Sequence, residues 1–99
     1  MEERVLRLNE RYSLYRGDFK EAKYYLFNVE DGSIFRMNEV SYTMLSLFDG
    51  KKSVGDVLKE LKMMYNIGEV RLEEDLFNLV NQWLEKEVLL DGGKNEERQ

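Results

Sequence analysis

Cysteine and histidine are both absent from these 99 residues. Without cysteine there is no disulfide and no thiolate chemistry. Without histidine the chain lacks the usual general base near neutral pH and the commonest metal ligand. Serine and tyrosine are present, but no histidine can activate them and the lysine neighbours give no triad pattern. Gly17, Gly32, Gly50, Gly55 and Gly68 are too scattered to form a phosphate loop. Asp31-Gly32 and Asp49-Gly50 lack the ordered oxygen ligands of a calcium loop. No apolar run is long enough for a membrane span or for the core of a signal peptide. These absences predict a cytoplasmic protein that is not an enzyme and has no catalytic residue, metal or cofactor.

Charge removes a further class. The chain carries 20 acids against 15 bases, a net charge of -5, so it repels nucleic acid at long range. The bases concentrate early, at Arg4, Arg7, Arg11, Arg16, Lys20 and Lys23. The third helical segment, 72 to 88, instead carries Glu73, Glu74, Asp75, Glu85 and Glu87 with only Lys86. Glu73-Glu74-Asp75 falls in a first helical turn, where the helix dipole favours carboxylates. A helix of this charge cannot enter a groove between phosphates.

What is present reads as one α+β domain, large enough to bury roughly 65% of its unfolded surface. Val5 to Leu8 alternates as a strand, and Tyr12 to Tyr15 is its continuation or a second short one. AKYYLFNVEDGSIFRM, residues 22 to 37, places two aromatic and β-branched runs around Asp31-Gly32, the usual pair for a two-residue hairpin loop. That loop would set Glu30 opposite Ser33, Val29 opposite Ile34 and Leu26 opposite Met37. Tyr24, Leu26, Asn28, Phe35 and Met37 then share one face; Tyr25, Phe27, Val29, Ile34 and Arg36 share the other. Both faces are apolar, so each needs a cover.

Three helices follow. Asn38 is a predicted N-cap, with Val40, Met44, Leu45, Leu47 and Phe48 as the buried stripe and Asp49-Gly50 as the stop. Ser53 and Asp56 resemble a capping box for a second helix that buries Val54, Val57, Leu58, Leu61 and Met64. Gly55 weakens that first turn, which suggests a close helix contact. Tyr65 to Val70 reads as a loop around Gly68, and a third helix runs from Leu72 to Lys86. Its stripe of Leu72, Leu76, Leu79, Val80 and Trp83 closes a core, while Phe77, Leu84 and Val88 widen it sideways. Val88-Leu89-Leu90 is a short final strand or a packed tail. The expected layout is winged-helix-like, a three-stranded antiparallel sheet followed by three helices over residues 1–90, with 91–99 a disordered tail.

The segment NVEDGSIFRMNEVSYTMLSLFDGKKSVGDVLKEL resembles the small peptide-binding D protein family of pyrroloquinoline quinone synthesis. The shared series is Asn28 and Gly32 in the hairpin, Met37-Asn38-Glu39 at the end of the third strand, Asp49-Gly50 after the first helix, and Ser53-Val54 opening the second. EEDLFNLVNQWLEKEVLL is similar to the family's closing helix. Val29 and Met37 replace a proline and a leucine common in the family, which favours a relative serving another peptide pathway.

The resemblance implies binding without catalysis. The leader segment of a precursor peptide would be held as an added strand against the third strand, walled by the third helix, and delivered to a modifying enzyme, often a radical S-adenosylmethionine enzyme. Carried over, the strand wall is Ser33, Ile34, Phe35, Arg36 and Met37. The helical wall comes from Asp75, Leu76, Leu79, Val80 and Leu84, for each of which a place in the core is the competing reading. Tyr25 and Phe27 on the second sheet face would meet the enzyme. Two rivals remain: an interaction subunit that forms a homodimer through its exposed strand edge, and an accessory domain of an enzyme.

Overall fold

The computed structural model describes residues 2–65 and 68–92. In chain order come β1 (Val5–Leu8), β2 (Tyr12–Gly17), β3 (Lys23–Asn28), β4 (Ile34–Met37) and α1 (Glu39–Ser46). After these follow β5 (Asp49–Ser53), α2 (Val54–Met64), α3 (Glu69–Glu85) and β6 (Leu89–Asp91). The class is α+β, with antiparallel pairing throughout the described strands and three helices. The strands β2-β3-β4 form the three-stranded sheet expected ahead of the helices. A second sheet, in the order β5-β1-β6, was not expected. Because it draws strands from both ends of the chain and its middle, the likeness to a winged helix is a loose one.

β5 was hidden because Asp-Gly-Lys-Lys-Ser has no strand propensity. It pairs because β1 offers a free edge, with Val5 opposite Ser53 and Arg7 opposite Asp49 across a register shift. The Asp49 carboxylate accepts the amides of Lys51 at 2.8 Å and Lys52 at 3.0 Å, and Gly50 takes φ 84°. The Asp-Gly pair is therefore a kink within a strand, while α1 itself ends at a right-handed Leu47 cap. On the other side of β1, β6 pairs Leu6 with Asp91 and Leu8 with Leu89. The Gly92 amide continues to the Val5 carbonyl at 2.8 Å. A side chain there would stand 3.0 Å from Arg7 and 3.1 Å from the Gly50 backbone, so glycine permits the close approach without displacing either neighbour. The fold thus runs two residues past the expected boundary at 90; the rest of the expected tail, 93–99, lies outside the described residues.

The helix starts follow their sequence signals. The Asn38 side chain caps the Ser41 amide at 2.8 Å, and Ser53 with Asp56 forms a complete capping box. α3 begins at Glu69, three residues before the expected Leu72, with Gly68 as its N-cap; Asn66 and Ile67, in the middle of the expected loop, lie outside the described residues. Where a helix contact was expected at Gly55, the atoms nearest a side chain there would belong to Glu2 and Ser53. The Gly55 amide bonds the Glu2 carbonyl at 2.9 Å, and the N-terminal segment lies over it. Met64, expected inside, is half exposed.

The core lies where the three helices meet the second sheet and the inner face of the first. Leu6, Met44, Leu45, Val57, Leu61, Leu76 and Leu89 are closed to solvent, with Leu26 of β3 reaching in from the other sheet. Among the described residues no helix is long and apolar enough to cross a membrane.

Asn9 joins the two sheets. Its carboxamide Nδ2 donates to the Glu87 carbonyl at 2.8 Å, and its Oδ1 accepts the Arg11 amide at 3.0 Å. Its main chain bonds Val88 at 2.8 Å and Tyr12 at 2.9 Å. Glu87 adopts φ 62° in the turn from α3 into β6, and that turn is held by the asparagine that follows β1. Asn9→Ala leaves a carbonyl and an amide short of partners and should lower unfolding free energy by about 1–3 kcal/mol in urea titration.

The acidic turns give a pH dependence. Backbone amides at Lys51 and Lys52 hold the Asp49 carboxyl below its ordinary value of 3.8. The Ser33 backbone amide does the same for Asp31. Both groups are better ionised folded than unfolded. Their contribution is complete above 3.8 and is lost as pH falls through the lower folded values. Asp49→Asn keeps an acceptor but not the charge, so the neutral plateau of a stability profile should fall and its acid limb become shallower, with the two proteins converging at low pH.

Candidate functional site

The hairpin sets the geometry of the site. Asn28 ends β3 and accepts the amides of Glu30 at 2.9 Å and Asp31 at 3.3 Å on its side-chain oxygen. The Gly32 amide reaches the Asn28 carbonyl at 2.8 Å, so four residues, 29–32, form the loop in place of the expected two. The register is Leu26 opposite Phe35 and Phe27 opposite Ile34, two residues away from the pairing expected. A shift of two preserves faces. Tyr24, Leu26, Phe35 and Met37 do share the inner face, with Tyr25, Phe27, Ile34 and Arg36 on the outer one.

Two bonds fix which main-chain groups are free. Val29 donates to Arg11 of the β2 side, and Asn28 donates to Ser33 of the β4 side, at 2.9 and 2.8 Å. Odd residues of β3 therefore bond β2 and even residues bond β4. In β4 it follows that Phe35 and Met37 use their amides and carbonyls on β3. Ile34 and Arg36 turn theirs to the open edge, because β4 is the outermost strand. Ser33 cannot contribute: its carbonyl serves Asn28, and its amide is bonded to the Asp31 side chain at 2.8 Å.

Beside this edge a groove runs between β4 and α3. Its apolar part encloses about 290 Å³, with Tyr12, Leu26, Phe35, Met37, Leu79, Trp83 and Val88 in its wall and floor and Arg36, Gln82 and Lys86 at its mouth. It continues past Asn38 and Ser41, shared by both parts, into a chamber bordered by Arg71, Asp75, Asn78 and Gln82. Phe35 is 50% exposed although it faces inward, an aromatic ring with one side uncovered. No group of three or more metal-ligating side chains comes together among the described residues.

Of the helical residues singled out from the sequence, Leu79 and Asp75 border this groove. Leu76 and Val80 do not; both are 0% exposed and belong to the core. Leu84 packs partly against the core and lies about 180° around the helix from Asp75. The widened stripe of Phe77 and Leu84 thus closes the domain on its far flank. Gln82, Trp83 and Lys86 were missed, although steps of three, four and seven from Leu79 place all three on its face.

The outer face carries a second apolar hollow, lined by Ser13, Leu14, Tyr15, Tyr25, Phe27 and Ile34. Tyr25 and Phe27 are central to it, and the Tyr15 and Tyr25 rings lie 6.2 Å apart.

The site is thus an open strand edge of an α+β domain beside an apolar, helix-walled groove. Residues 23–89 match the family described as Coenzyme PQQ synthesis protein D (PqqD), and the chain belongs to that family. Two solved structures share its fold. One is TbiB1 in complex with the TbiA(beta) leader peptide, 17% identical with a TM-score of 0.69, aligned over 89% of this chain and 99% of that one. The other is lasso peptide synthetase B1 complexed with the leader peptide, 21% identical with a TM-score of 0.68, over 87% and 98%. No curated protein sequence matches the chain.

The division between core and groove can be checked by stability. Leu76→Ala should cost about 2–5 kcal/mol in urea unfolding, as for a closed core site. Gln82→Ala on the groove rim should stay within about 0.5 kcal/mol of the parent.

Proposed function

We propose that this domain binds the leader segment of a precursor peptide as a strand added to β4, without catalysis, and presents it to a modifying enzyme. The observation that carries the reading is the outward main chain of Ile34 and Arg36 beside the groove of Phe35, Met37, Leu79 and Trp83. Backbone hydrogen bonds along such an edge supply affinity without regard to sequence, and the groove selects alternate side chains. Membership of the PqqD family supports it, as do two leader-peptide complexes of the same fold. The enzyme favoured by the family resemblance is a radical S-adenosylmethionine enzyme. Within the groove, Leu79 and Asp75 are the helical contacts; Leu76, Val80 and Leu84 act through packing. The competing occupant of the edge is a second copy of the chain.

Proline separates the strand-addition reading from its rival and from a site elsewhere. Ile34→Pro removes an amide that faces the open edge, so the hairpin keeps its ladder and the fold should survive. Leader affinity should nevertheless drop. Phe35→Pro deletes an amide bonded to β3 and should unfold the hairpin instead. In the groove, Phe35→Ser should weaken leader binding by ~1–3 kcal/mol, the scale of lost apolar burial. Titrating a precursor leader peptide into isotopically labelled protein locates the site. Shifts confined to α2, with β4 and α3 silent, would place it elsewhere, and a concentration-dependent dimer that leader cannot dissociate would favour the rival.

A further inference from the structure

The groove is longer than the strand beside it. The four residues of β4 extend about 13 Å. The side of α3 that borders the groove carries Arg71, Asp75, Asn78, Gln82 and Lys86, one row at steps of three and four. From Arg71 to Lys86 the row spans about 22 Å, which an extended chain covers in about seven residues. A peptide paired to the two outward residues of β4 therefore continues past polar groups of α3 well beyond the strand.

The charges of this row are not those of the helix as a whole. α3 with its C-cap carries two bases, Arg71 and Lys86, and both border the groove. Of Glu73, Glu74, Asp75 and Glu85, only Asp75 does. Neither base has an ion-pair partner among the described residues. Lys86 ends the helix, where the dipole favours a cation, but Arg71 lies in the first turn, where it does not. Arg71 also precedes Asp75 by four residues, the less favourable order for such a pair. Helix stability does not account for a base at 71.

We infer that the recognised peptide is acidic around an apolar anchor, with one carboxylate read by Arg71 and another by Lys86. This deepens the proposed function and rests on strand addition at β4. Leu79 and Trp83, the α3 residues of the apolar part, centre about 15 Å along the helix from Arg71 and about 8 Å from Lys86. On an extended peptide these distances are about four residues on one side of the anchor and about two on the other. Both are even steps, so anchor and carboxylates fall on the same face of the peptide, the one turned to the groove. The net charge of -5 opposes such a peptide at long range. Inside the groove the nearest charges decide, because salt screens those beyond about 8 Å. Asp75, between the two bases, disfavours a carboxylate in the middle of the row and so helps to set the register.

The probe is a displayed library of random peptides selected on the purified protein. Enriched sequences should carry an apolar residue with Asp or Glu about two positions away on one side and about four on the other. With a synthetic peptide of that class, Arg71→Gln and Lys86→Gln should each weaken binding about two- to fivefold, the scale of exposed ion pairs. Asp75→Asn should tighten it, a change of sign that loss of structure does not produce. Added salt should cost the parent protein more affinity than the variant lacking both bases. If a variant unfolds, exchanging each glutamate of the peptide for glutamine tests the same contacts on the parent. Failure to select any binder, or amide perturbations that avoid β4 and α3, overturns the proposed function and this inference with it. Peptides that bind at β4 without acidic enrichment, or with affinities indifferent to both Arg71→Gln and Lys86→Gln, overturn this inference alone.

Discussion

Asn9 is the point at which the two sheets are made one object. Its carboxamide and main chain bond Glu87, Val88, Arg11 and Tyr12, so the end of β1, the start of β2 and the exit of α3 share a single 8% exposed residue. Buried amide groups that all find partners are directional where apolar packing is not. The groove depends on that direction. Tyr12 and Val88, which contribute to its wall and floor, are the two residues bonded by the Asn9 main chain. The α3 wall and the sheet wall are thus set against each other from one end of the groove.

The other end is set by α1. The Asn38 side chain caps the helix in the residue after β4, leaving no slack between edge strand and helix. Tyr24 of β3 packs against Tyr42 of α1 with ring centres 4.9 Å apart and planes tilted by 49°, and the Tyr65 hydroxyl reaches Thr43 at 3.0 Å. The open edge is consequently a rigid rail carried by a packed helix. A rail of that kind keeps its unpaired groups in line before a partner arrives, which lowers the ordering cost of association.

Most of this architecture was legible in the chain, and the parts that were not share a cause. Caps at Asn38 and Ser53 and the stripes of the helices are local signals, because they depend on spacing within a few residues. The faces of the hairpin were readable although its loop was misjudged, since a two-residue slip leaves the alternation intact. The loop length turned on Asn28 closing a turn with its own side chain, which an Asp-Gly pair nearby obscured. β5 was illegible because its pairing is decided by β1, more than 40 residues away in sequence. The groove was half legible. Leu79 was found by periodicity, but Leu76, Val80 and Leu84 are apolar at helical spacing too, and only the neighbours of each face separate core from wall.

β4 is four residues long, and just two of them face outward. A partner strand can therefore gain about four main-chain hydrogen bonds there, each worth roughly 0.5–1.5 kcal/mol net of water. That sum falls short of the ~8 kcal/mol of a micromolar complex, so most of any affinity must come from the groove. Short rails also have short residence times, since affinity differences reside chiefly in the rate of departure. Under the proposed function, a grip that ends at two residues is an aid to hand-off: a bound peptide could be lifted away one end at a time, without unfolding the domain.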